Sequence, residues 1–144
     1  MLTPPAAVSL PRQAKASLTK WRGGPGGAAL TLVSHQLGRS AQAGGVRLYL
    51  QMQQACAQLT TAVRAAQAGP SIPEPTLEHL YAAALATLAA GASHCRAGIS
   101  ASRSGEGATV RVNQALIGQA RQEFAAGSRW LYLATSQIAI AHSR

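Results

Sequence analysis

Cys56 and Cys95 are the two residues of this 144-residue chain best suited to bond with each other. Each falls in a stretch whose apolar residues recur at alternating spacings of three and four, which puts both thiols on the buried stripes of two consecutive helices. The bond on offer is a disulfide, which persists in an oxidising compartment. If the helices run antiparallel and their layers pair outward from the intervening turn, Ala66 meets Leu77, Leu59 meets Leu85 and Cys56 meets Leu88. Cys95 then lies two layers away, ~10 Å too far for the ~4.4–6.8 Å Cα separation of a bridge. A slipped register would close that gap. The pair is therefore either a structural disulfide or two small buried hydrophobes, which is how free cysteines commonly behave.

Other chemistry-bearing residues converge less. His35, His79, His94 and His142 fall one per segment with no repeated spacing, and no CxxC or HxxxH pattern supplies a zinc ligand set, so neither metal nor cofactor is expected. His94 and Cys95 are adjacent, ~100° apart on a helix, and do not share a face. Glu123 is the only acid in its segment, with no second carboxylate at i±3 or i±4 for general acid–base work, so a solvated surface position is expected for it. Gly23-Gly24-Pro25-Gly26-Gly27 lacks the Gly-Lys-Ser/Thr ending of a phosphate loop and reads as a hinge. Trp21-Arg22-Gly23 spells the W-x-G tripeptide of small secreted helical hairpins, which carry it in the turn between two long helices. Here it is expected in an irregular leader. Arg129, Trp130 and Tyr132 flank a buried stripe and suit either a partner surface or core-edge packing against an N-terminal helix.

The elements that must position these residues follow from the stripes. Tyr49, Met52, Cys56, Leu59, Val63 and Ala66 form the first. Tyr81, Leu85, Leu88, Ala92, Cys95 and Ile99 form the second, and Ile117, Ala120, Phe124, Gly127, Leu131, Ala134 and Ile138 the third. A spacing that averages about 3.5 residues packs helices nearly antiparallel. The expectation is all-α: an antiparallel up-and-down bundle of three long helices, about 46–67, 75–99 and 109–141, plus a short N-terminal helix near 27–37. Residues 1–25 are expected to form an irregular basic leader to a bundle domain spanning 26–144, and residues 100–107 a flexible loop. No period-two clustering of β-branched residues suggests a strand. Pro75 suits a first helical position, and Glu74 and Glu78 sit where the helix dipole favours negative charge.

Charge is the other strong signal. Thirteen Lys and Arg stand against four Glu, a net charge of +9, and residues 1–47 hold six of the basic residues with no acid. Such a balance suits a polyanionic partner, nucleic acid among them, or solubility alone. The longest strongly apolar uncharged run, Leu80 to Ser93, is far short of the ~20 residues that span a membrane, and no signal peptide is evident.

The chain resembles a group of small uncharacterised actinobacterial helical proteins from Leu18 to Ile140. The resemblance rests on Trp21 with Gly24-Pro25-Gly26-Gly27, Gln54-Ala55-Cys56-Ala57-Gln58-Leu59, Ala68-Gly69-Pro70-Ser71-Ile72-Pro73-Glu74 and Leu80-Tyr81-Ala82-Ala83-Ala84-Leu85. It continues in His94-Cys95-Arg96-Ala97-Gly98-Ile99-Ser100, Ala125-Ala126-Gly127-Ser128 and Leu131-Tyr132-Leu133-Ala134-Thr135. That group often carries the domain behind a membrane segment and a Pro/Gly/Ser-rich linker. The resemblance thus implies an extracytoplasmic domain with Cys56 and Cys95 as its disulfide, and it implies no activity. The expected role is a non-catalytic helical interaction or structural module of the cell envelope, with a protein partner. The alternative is a nucleic-acid-binding protein that uses residues 1–47.

Overall fold

The three stripes are buried as written, and they organise an all-α chain. The computed structural model describes residues 12–104 and 107–143. In order, the elements are α1 (Arg12–Gly23), α2 (Pro25–Gly45), α3 (Tyr49–Ala68), α4 (Pro75–Gly98), β1 (Ile99–Ser104), β2 (Gly107–Val112) and α5 (Gln114–Ser143). Every stripe residue from Met52 to Ile138 named above is in the core, and Tyr49 packs at its edge. Burying each large apolar side chain contributes about 1.5–3 kcal/mol.

Consecutive long helices run antiparallel. Arg39 of α2 donates to Gln58 of α3, while the end of α2 at Gly44 lies over Met52 near the start of α3. Between α4 and α5 the contacts descend in step: Gly98 faces Ile117, Gly91 faces Phe124 and Gly127 faces Leu88. Small residues at these crossings let α4 and α5 approach closely, and theirs is the most extensive interface in the fold.

The register of α4 on α3 differs from the expected one by a full heptad. Cys56 lies opposite Cys95 rather than Leu88, and the Gln53 side-chain amide donates to the Ile99 carbonyl oxygen at 2.6 Å. The cause is the connector. Pro70 to Glu74 does not turn tightly at the end of α3; Ile72 is buried and donates its N–H to Glu78 Oε2 at 2.6 Å. The first two turns of α4 therefore project past α3. There Trp21 of α1 covers them: the Trp21 indole N–H donates to the Pro70 carbonyl at 2.8 Å, and its ring meets Tyr81 edge-on at 5.7 Å.

This arrangement corrects several expectations. Within the leader expected at 1–25, residues 12–23 are helical, because Leu18 and Trp21, one turn apart, are both buried, Trp21 against Tyr81 of that projecting end. The rest of the leader, 1–11, lies outside the described residues. The N-terminal helix expected at 27–37 is α2, which is 21 residues long. Gly38 does not stop it, because Ser40, Ala43 and Gly44 continue its buried face to the turn. Four long helices and a shorter α1 thus replace three long and one short. The expected loop at 100–107 is part of an antiparallel hairpin in which Ile99 pairs with Val112 and Ala101 with Val110. Asn113 then caps α5 by accepting the Leu116 N–H on Oδ1, so α5 starts at Gln114 rather than near 109.

Candidate functional site

Cys56 on α3 and Cys95 on α4 have their sulfurs at disulfide distance, with Cα atoms 6.3 Å apart and no solvent exposure on either. The two helices bring them together because each occupies one layer of its stripe and the heptad shift aligns those layers. The 3–4 periodicity puts both residues on the buried faces and leaves the register open.

The acidic side chains among the described residues are committed within the fold. Glu74 caps α4 by accepting the Leu77 N–H at 2.7 Å, Glu78 holds the Ile72 N–H, and Glu123 Oε1 meets His94 Nδ1 at 2.5 Å. The last pair joins α5 to α4, with side-chain exposures of 21% and 32%. Glu123 was expected to be simply solvated; a search for partners along one helix misses a contact between two. The pair has the imidazole and carboxylate of a nucleophile-activating relay, yet no hydroxyl or thiol among the described residues hydrogen-bonds to it. Among the described residues no three His, Cys, Asp or Glu side chains gather in a metal-binding group.

Basic side chains behave in the opposite way. Arg22, Arg39, Arg47, Arg64, Arg96, Arg111, Arg121 and Arg129 are exposed, and among the described residues no Lys or Arg lies within ion-pair distance of a carboxylate. Arg39 and Arg121 reach only neutral acceptors, Gln58 Oε1 and the Gly44 carbonyl. The positive charge of the sequence is thus displayed outward. Two of these arginines, Arg64 and Arg96, border a groove of about 690 Å³ along the α3–α4 seam.

Arg129, Trp130 and Tyr132 do not form one surface. Trp130 and Tyr132 are about 200° apart on α5. Trp130 is half-buried against the core, whereas Tyr132 is 70% exposed beside a shallow cleft between α2 and α5 that Leu37 and Ala41 also line. Trp21-Arg22-Gly23 closes α1, and the tripeptide sits at a junction of two helices rather than in an irregular leader. An apolar end face was not anticipated: Val46, Leu48 and Leu50 are exposed around the α2–α3 turn, where Arg47 has a φ of 58°.

Tyr81 supplies a titration test of the α1–α4 contact. Burial first, then the nearby Glu78 carboxylate, pushes its phenol up to about 12. The folded state thus holds this proton more tightly than the unfolded chain, whose phenol titrates near 10. The associated stability is fully present below pH 10 and is lost as pH rises from 10 through 12. The hydroxyl is buried without a hydrogen-bond partner among the described residues. Tyr81→Phe is therefore expected to change stability at pH 7 by less than about 1 kcal/mol and to flatten its decline above pH 10 in denaturant titrations.

No helix among the described residues is long and apolar enough to cross a membrane. Comparison with known proteins finds no matching family model, no matching curated protein and no matching solved structure.

Proposed function

We propose that this chain is a non-catalytic helical interaction and structural module that works on the oxidising side of a cell envelope, built as an antiparallel up-and-down bundle. The observation that carries the reading is the Cys56–Cys95 pair, buried in the core at disulfide distance between two helices. A bridge there suits an environment that does not reduce thiols, and disulfides are rare where glutathione and thioredoxin act. The resemblance to envelope-associated helical proteins supports the same compartment. The outward display of arginine supports a partner of opposite charge.

Thiol counting on protein isolated from its native host tests the compartment. Intact mass after alkylation is expected to show no label without reductant and two labels after reduction in denaturant. Two labels in denaturant without reductant would remove the main support for the envelope.

A second reading has an observation of its own. Between residues 12 and 47, Arg12, Lys20, Arg22, Arg39 and Arg47 all face solvent without an acidic partner among the described residues. Nucleic acid bound through that stretch would show affinity falling steeply with salt, because each phosphate contact releases counterions.

A further inference from the structure

The groove on the α3–α4 seam has a composition that selects its occupant. Its floor is made of short side chains, Ala57, Ala89 and the fully buried Val63, so the longer side chains of both helices stand above it as walls. Gln54, Gln67 and Ser93 in those walls offer hydrogen-bond donors and acceptors, and no acidic or aromatic side chain lines it. The Thr60 hydroxyl donates to the Cys56 carbonyl at 2.9 Å, which leaves its oxygen free to accept. Behind the floor, Cys56 and Cys95 tie the two helices together and hold the walls in register.

Arg64 and Arg96 stand on opposite walls, exposed, with no carboxylate partner among the described residues. Because Cys56 lies opposite Cys95, Arg96 is level with Ala55, and Arg64 is nine residues further along α3. At a rise of 1.5 Å per residue the two guanidinium stems are ~13 Å apart along the seam. That spacing does not match one small anion. It matches an extended peptide, in which side chains about four residues apart lie ~13 Å apart on the same face. Primary amides and hydroxyls complement the alternating N–H and C=O groups of such a strand. A base or sugar ring would find no aromatic surface to stack on.

We propose that the groove between α3 and α4 binds an extended acidic peptide segment, with carboxylates four residues apart engaging Arg64 and Arg96. This rests on the interaction-module reading and gives its partner a chemistry. Forked hydrogen bonds from guanidinium to carboxylate supply the orientation at both ends, and side-chain amides between them read the backbone.

The test uses the full oxidised chain and a fluorescein-labelled Glu-Thr-Val-Thr-Glu peptide, read by fluorescence anisotropy at physiological salt. Saturable binding is expected, weakened about five-fold or more by R64Q and by R96Q and changed less than about two-fold by R129Q on α5. A peptide with its two glutamates adjacent is expected to bind more weakly. All three arginines are exposed, and far-UV circular dichroism checks that each variant is folded. No saturable binding, or equal weakening by R129Q, overturns the proposal. So does an oligothymidine that binds with the same dependence on Arg64 and Arg96, since the groove would then take phosphodiesters. Unbridged thiols in the native host would end the envelope assignment while leaving this binding result standing, so the two failures are distinguishable.

Discussion

Gly27→Ala is expected to destabilise the chain by about 3 kcal/mol, although alanine is the better helix former by about 1 kcal/mol. Gly27 lies in the first turn of α2, and a Cβ there would overlap the backbone carbonyl of Arg22 near the end of α1. Backbone cannot rotate away as a flexible side chain does, so α1 must shift as a body. Neighbouring Gly26 is covered by the Trp21 indole, so movement of α1 also uncovers Leu18 and Trp21 and breaks the Trp21–Pro70 hydrogen bond. The matched control is Gly38→Ala in the same helix. A Cβ at Gly38 meets nothing within 4 Å, so only propensity acts and a gain of about 0.5–1 kcal/mol is expected. Urea unfolding followed by circular dichroism measures both, and Trp21 fluorescence reports whether α1 has come away. Stabilisation by both substitutions would mean that α1 does not cross α2 this closely in solution.

These two glycines illustrate what was legible in the sequence and what was not. Long-range periodicity was legible: α3, α4 and α5 follow stripes that recur over six or seven residues each, and all-α architecture follows from them. Pro75 and Glu74 marked the start of α4 correctly, because a missing N–H and a capping carboxylate act locally. α1 was not legible, because Leu18 and Trp21 give it one turn of apolar signal and the Gly/Pro run beside it suggests a break. That break is real but short: Gly24 alone separates two helices. The hairpin did leave a signal, since Thr109-Val110-Arg111-Val112 alternates with period two, yet four residues of alternation are outweighed by long helical stripes on either side. The arginine-bordered groove and the His94–Glu123 pair were invisible for a different reason. Both join residues on two helices, and which residues meet depends on register, which a seven-residue repeat does not fix.

Register is also why loss of the Cys56–Cys95 bridge is expected to have the largest effect of any single side-chain change. The bridge spans 39 residues, and closing a loop of that length in the unfolded chain is worth about 4 kcal/mol in the chain-entropy account. Total stability for a domain of this size is about 5–15 kcal/mol, so Cys56→Ser or Cys95→Ser removes a large share of it. Both positions are fully buried, and the new hydroxyl adds a desolvation cost unless it finds an acceptor; the Met52 carbonyl lies 3.8 Å from Cys95 Sγ. A second consequence separates a bridge from mere core packing. The α3 and α4 stripes repeat every seven residues, so sliding α4 by one heptad, which sets Cys56 against Leu88, keeps apolar residues facing apolar residues. Trp21, Ile72, the Gln53–Ile99 hydrogen bond and the bridge oppose that slide, and of these the bridge alone is covalent. The Cys56→Ser chain is therefore expected to keep its helical far-UV signal while losing near-UV signal from Trp21 and Tyr81, with a broader urea transition. A loss below about 1 kcal/mol with a sharp transition would show that packing alone selects the register and that the thiols serve as core filler.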